Sequence, residues 1–280
     1  MGLFYRSDRP GKGVEKEEME KNRFFVFFDV FFRKFMRFVQ LNVLYLLFCI
    51  PYFILLYFFS PLNTYLLTVT DLAGIGGFIQ SMPAVDAEAF DILLRSMFAL
   101  AVLIFWGAGP VSAGTAYVLR NFAREEHAWV WSDFFEQLKS NFKQGIVVLL
   151  VDLLVLYLSM VAFQFYGAAY AASANTMMLI AEGLLVVFLM LYTFMHYYIY
   201  PMMVSFDLKI GKLYRNAFLF AIAKFPQNVF FTLICLVILI ALFSFISLFA
   251  WLVFAIFLTI FLVFVLQFYT THVVDQNMLE

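Results

Sequence analysis

Asp152 is the residue in this chain that packing accounts for least. It stands in the run Val147-Val-Leu-Leu-Val-Asp-Leu-Leu154, where a carboxylate costs about 2.5–3.5 kcal/mol if the run lies in lipid, so something must offset it. Two readings stand. Asp152 is either part of a proton or cation relay with His196 or Tyr192 on the next apolar run, or a structural hydrogen bond near the inner interface, made to small or polar residues of the second run. Glu182 shares a run with His196, but at a helical rise of about 1.5 Å per residue the two stand ~21 Å apart and cannot touch. A shallow glutamate is most often solvated at the headgroups, and a lone histidine among aromatics is most often a packing residue. Asp152, His196 and Glu182 together form the candidate intramembrane polar site. Arg95, near the outer mouth of the second run, snorkels to the surface.

The densest cluster of small residues is Gly107-Ala-Gly-Pro-Val-Ser-Ala-Gly114. Gly107, Gly109 and Gly114 let helices approach closely, while Pro110 frees a carbonyl and kinks the span. Close packing is one reading. A broken helix lining a substrate path is the other, because irregular backbone at that depth is tolerated where protein or water covers it.

These residues must be positioned by membrane-spanning helices. Of 280 residues, 65% are hydrophobic and only 13% charged, against about 25% charged in a soluble domain. Such a surface needs lipid to cover it. Runs of about 20 apolar residues, the length that crosses a ~30 Å hydrocarbon core, predict six spans at about 39–59, 98–117, 146–165, 177–206, 229–245 and 250–268. The last two come from one uncharged run of some 40 residues, divided by a turn near Ser244 to Trp251. Residues 1–37 then form a cytoplasmic tail and 38–280 one transmembrane domain. Of the 18 lysines and arginines, nine precede Phe38, four fall in Arg120–Lys143 and four in Lys209–Lys224. All these segments lie on one side in a six-span topology. Cationic loops are retained in the cytoplasm, so both termini are placed there. The polar start lacks the pattern of a cleaved signal peptide, and Cys49 and Cys235 read as small hydrophobes. The expected fold is an all-α polytopic bundle with three interfacial amphipathic helices.

The first of these, before span one, repeats Phe24, Phe28, Phe31, Phe35 and Phe38 opposite Arg23, Arg33, Lys34 and Arg37. The second, before span three, repeats Trp131, Phe134, Phe135, Leu138 and Phe142. Ser132 is placed to cap it, Asp133 and Glu136 sit early, and Lys139 and Lys143 sit late, which suits the helix dipole. These four charged residues mark a candidate partner-docking helix. The third, before span five, uses Ile210, Leu213, Tyr214, Ala217 and Ala221. The phrases Phe38-Val-Gln40, Phe142-Lys-Gln144 and Phe225-Pro-Gln227 end the three segments, either as a repeat or as convergent interface packing.

Net charge is -1, which argues for no nucleic-acid partner. Three scattered histidines and two distant cysteines offer no metal-ligand spacing. No nucleophile constellation is visible, so neither cofactor nor catalysis is expected.

Gly109-Pro-Val-Ser-Ala-Gly114, Tyr117-Val-Leu-Arg-Asn-Phe-Ala-Arg-Glu-Glu126 and Trp131-Ser-Asp-Phe-Phe-Glu-Gln-Leu-Lys-Ser-Asn-Phe-Lys-Gln144 together resemble the YesL-like family of bacterial multi-span membrane proteins, which has no established activity. The resemblance implies a plasma membrane of Gram-positive type and an association with genes for sugar uptake and polysaccharide use. It brings no catalytic residues. Two functions follow as expectations. One is an accessory or scaffold subunit of a membrane complex, with sugar importer subunits as partners beside the lipid bilayer. The other is a small secondary transporter or channel whose path runs past Asp152, His196 and Pro110.

Overall fold

A computed structural model describes residues 22–58, 95, 98–244 and 248–278, apart from the side chains of 242–257. The described residues form helices and no strand: α1 Arg23–Arg33, α2 Phe35–Phe58, α3 Phe98–Phe105, α4 Pro110–Ala123, α5 Val130–Ser140, α6 Phe142–Ser173, α7 Thr176–Met203, α8 Ile210–Ala223, α9 Phe225–Ser244 and α10 Leu248–Met278. Four are long and apolar enough to cross a membrane: α2, α6, α7 and the Leu258–Met278 part of α10. Two bent pairs, α3 with α4 at 58° and α8 with α9 at 87°, raise the number to as many as six.

The core is polarised. The most apolar stretches of α6 and α7 are only 17% and 11% buried, whereas that of α10 is 67% buried, which makes α10 the central helix and α6 and α7 a lipid-facing flank. Only Gly145, Val148, Asp152 and Ser159 are buried along the whole of α6. Their spacing of three, four and seven is a single narrow stripe.

The expected loop from Tyr166 to Thr176 is a two-residue hairpin. The run Gly167-Ala-Ala-Tyr-Ala-Ala-Ser173 continues α6, as alanine favours. Ala174 then takes a left-handed φ of 47°, and the Asn175 side chain accepts from Met177 N to cap α7. The outer segment 60–91 lies outside the described residues, as does the centre of the expected turn near Ser244, residues 245–247. α10 runs ten residues past the expected end of the last span. Its final turns are not a tail: Thr270, Thr271, Val273 and Val274 are buried.

The three short helices are present, each joined to a rising helix by one residue: Lys34, Asn141 and Lys224. Phe35, Phe142 and Phe225 occupy the first position after these joints. The Phe38-Val-Gln40 phrase is therefore one turn out of register with the other two. The 87° bend lays α8 across the end of α9, the geometry of an interfacial helix.

Two details of these helices correct the sequence pattern. On α1, Val30 is buried, Phe27 stacks on Phe264 and Phe31 meets Phe261. Phe24 and Phe28 instead face outward, because two aromatic stripes share this helix and only one fits against α10. On α5, Trp129 rather than Ser132 is the N-cap, and the Asp133 carboxylate accepts from Trp129 N at 2.8 Å. Glu136 and Lys139 are exposed on α5, but Lys143 belongs to α6, so the candidate docking face is divided between two helices.

The basic residues flanking α1 are used as ties. Arg33 pairs with Glu125 at 2.8 Å, Lys34 donates to Glu126 O at 2.6 Å, and Arg37 donates to Ala128 O at 3.1 Å. Burial, with Arg33 and Arg37 adding repulsion, lowers the Lys34 ammonium to about 8. Arg124 forms two hydrogen bonds with Asp275, at 2.9 and 2.6 Å, and this partner raises its already high pKa. The N-terminal helix, the α4–α5 loop and the C-terminal end of α10 therefore share one face. Both members of the Arg124–Asp275 pair are about a quarter exposed. Arg124→Gln should therefore lower stability by about 1 kcal/mol, and Arg124→Asp combined with Asp275→Arg should recover much of it in thermal melts.

Candidate functional site

Asp152 is fully buried nine residues beyond Lys143, a rise of ~14 Å and close to half of a ~30 Å hydrocarbon core. α7 supplies its partners, Tyr192 and His196, which with Tyr200 are buried residues at steps of four and make one polar stripe on the C-terminal half of a helix whose N-terminal half is largely exposed. Asp152 Oδ1 accepts from the Tyr192 hydroxyl at 2.6 Å and lies 2.8 Å from His196 Nε2. His196 Nδ1 lies 3.0 Å from Tyr192 O. That oxygen is a carbonyl and only accepts, so Nδ1 carries hydrogen.

One proton then remains to be placed between His196 Nε2 and Asp152 Oδ1. It makes either an imidazolium facing a carboxylate or an imidazole accepting from a carboxylic acid. Its removal would leave two lone pairs face to face. Asp152 Oδ2 is buried with no hydrogen-bond partner, as is the hydroxyl of Tyr52 on α2, while the Tyr214 hydroxyl on α8 approaches that of Tyr192. Both hydroxyls interact electrostatically with the carboxylate. The hydrogen bonds of Asp152 thus go to α7 and not to the second apolar run, and Tyr214 extends the polar line to an interfacial helix.

The second half of the site is the break between α3 and α4. Pro110 does not kink a continuous span. It is the first residue of α4, after Gly107 and Gly109 at φ 81° and 59°, values glycine adopts without strain. The helix ladder is dismantled here in a definite way. Ala108 N donates to Ser112 Oγ and Gly109 N to the Tyr200 hydroxyl, and Pro110 has no N–H to give. The Ile104, Phe105 and Trp106 carbonyls therefore lose their i+4 donors. Trp106 stacks on His196 at 5.7 Å with rings 17° apart, and its indole N–H donates to Thr193, so the break and the carboxylate site share a wall.

The small residues also pack closely. A Cβ on Gly109 would meet Gly145 O at 2.7 Å, and one on Gly114 would meet Phe134 O at 2.7 Å. Close packing and an interrupted helix thus occur in one cluster, with Gly109 part of both. The structure brings Asp152 and His196 together but leaves Glu182 out: it lies near the start of α7, fourteen residues before His196. The Arg95 guanidinium lies 5.9 Å from the Tyr57 ring centre. Cys49 and Cys235 are buried free thiols. Sequence reasoning missed Tyr200, Gly145 and Gln267. The four-residue step from Tyr192 through His196 was the available signal for Tyr200.

Fold and site together define an integral membrane protein with a helical polytopic architecture and a buried polar site at a broken helix. Residues 38–163 match the model of a family described as "Protein of unknown function, DUF624". That stretch includes the break and Asp152 but not His196. Comparisons with curated proteins and with solved structures give no match.

Proposed function

We propose that this protein is a small proton-coupled secondary transporter of a bacterial plasma membrane, with the α1, α5 and α8 side in the cytoplasm. One observation carries this reading: Asp152 and His196 stand in hydrogen-bond contact at 2.8 Å, deep in an apolar bundle and against an interrupted helix. Ionisable groups at this depth ordinarily serve ion or proton pathways, and broken helices place substrate sites near the bilayer midplane. Tyr192 and Tyr214 offer hydroxyls toward the interfacial helix α8. The charge distribution supports the orientation. The resemblance to the YesL-like family points to saccharides as the solute class. No catalytic step, metal or cofactor belongs to the proposal.

Proteoliposomes with an internal pH dye, challenged with mono- and oligosaccharides, should show solute-driven proton movement. Asp152→Asn should abolish it and leave expression and melting behaviour near wild type. Undiminished proton movement in Asp152→Asn, or none in the wild type with any solute, would sink the reading.

A second reading, an accessory subunit of a carbohydrate importer, is favoured by the exposure of Trp129, Trp131, Glu136 and Lys139 around α5. Crosslinking in native membranes should then recover an importer subunit. Repeated recovery of the protein alone would remove this reading.

A further inference from the structure

We propose that the break between α3 and α4 holds a sodium-sized monovalent cation. Next to it lies a cavity of about 30 Å³ lined by Ile104, Phe105, Trp106, Ser112, Thr115 and Gln267, among others. The volume suits an occupant of one or two water molecules. Oxygen atoms stand at a few points of an otherwise largely apolar lining. The carbonyls of residues 104–106 have lost their helical donors, as shown by where the amides of Ala108 and Gly109 go. The neighbouring Leu103 O is already taken by the Tyr45 hydroxyl at 2.8 Å, so the vacancy is confined to the last turn of α3.

Facing this turn from α10, Gln267 is 7% exposed, and its Oε1 is buried with no hydrogen-bond partner. Thr115 Oγ1 donates to Val111 O at 3.0 Å, which leaves its lone pairs for an electrophile. Ser112 Oγ already accepts from Ala108 N at 2.7 Å and lies 3.4 Å from the Tyr45 hydroxyl, so it has less to offer than Thr115.

Carbonyl, amide and hydroxyl oxygens form the donor set of a hard cation. The carbonyl end of α3 is the negative pole of its dipole. His196 lines the same cavity, but with one shared proton its pair with Asp152 is net neutral, so the oxygen atoms must carry the binding. No group of three or more histidine, cysteine or acidic residues suited to a metal exists among the described residues, so a transition metal is disfavoured and a weakly held alkali ion fits. A sodium ion would satisfy the Gln267 oxygen and the end of α3 at once. Water would supply hydrogens to the same atoms, so the two occupants must be separated by experiment.

The proposal is independent of proton coupling, because binding is measured without transport. Full-length protein in detergent is melted in rising sodium chloride against choline chloride at constant ionic strength, and radioactive sodium binding is measured directly. The expected result is a saturable sodium-dependent rise in the melting temperature and saturable sodium binding. Gln267→Leu should keep the choline melting temperature and weaken sodium binding roughly tenfold or more. Thr115→Val, nearly isosteric, should weaken it by a smaller factor and guards against misfolding of the first variant. Identical melting in sodium and choline with no bound sodium would mean water only and would overturn the proposal, as would undiminished sodium binding in both variants.

Discussion

Replacing His196 with leucine should lower the unfolding free energy by about 3–5 kcal/mol, the usual cost of removing one partner from a buried pair. The reason lies in what stays behind. Asp152 has no exposed surface, and its Oδ2 is already without a partner. Without the imidazole, Tyr192 alone would hold the carboxyl group, at 2.6 Å. The loss should be grossly non-additive. Asp152→Leu made together with His196→Leu and Tyr192→Phe removes the three hydrogen-bonded groups, leaves no buried carboxyl group without its imidazole and should lie closer to wild type than His196→Leu alone, since apolar replacement of a buried pair is often neutral or better. Urea unfolding in mixed micelles measures both. A single variant within about 1 kcal/mol of wild type would mean that water reaches Asp152 and that the pair is not sealed.

The fold was largely legible because its signals are energetic and local. Runs of apolar residues long enough to cross hydrocarbon mark α2, α6 and α7, and cationic clusters mark one face. Periodicity located the short helices, and on α1 it was right for Phe31 but wrong for Phe24 and Phe28: Phe27 packs on α10 in their place, and only the position of α10 decides this. The tight turn at Ala174 was missed because an alanine-rich, uncharged stretch resembles a loop by hydropathy and a helix by propensity.

The site was half legible. An aspartate in lipid is conspicuous because of its cost, and Tyr192 and His196 were natural partners one helix away. Gln267 was invisible. It lies 115 residues from Asp152 in the sequence, in a stretch expected only to span, and its role depends on which residues face it. Pro110 was assigned to a kink because a proline within an apolar run ordinarily bends a helix. The glycines on its N-terminal side, able to adopt positive φ, turned a bend into an interruption.

Gly145→Ala should be strongly damaging, costing about 3 kcal/mol, at the upper end of the usual range for overpacking. A Cβ there would lie 2.6 Å from Pro110 N and 2.7 Å from Pro110 Cα. Both are backbone atoms that no rotamer change can move, on a segment whose amides are already committed to Ser112 and Tyr200. Relief requires α6 to withdraw from the break. Asp152 lies seven residues further along the same buried stripe, so withdrawal would also lengthen its contacts with Tyr192 and His196. Gly183→Ala separates this effect from helix propensity. Nothing lies within 4 Å of a Cβ at Gly183, so alanine there should stabilise α7 by about 0.5–1 kcal/mol. Melting curves of the two variants should move in opposite directions. If Gly145→Ala is neutral, α6 does not press against the interrupted helix, and the carboxylate and the break are separate sites.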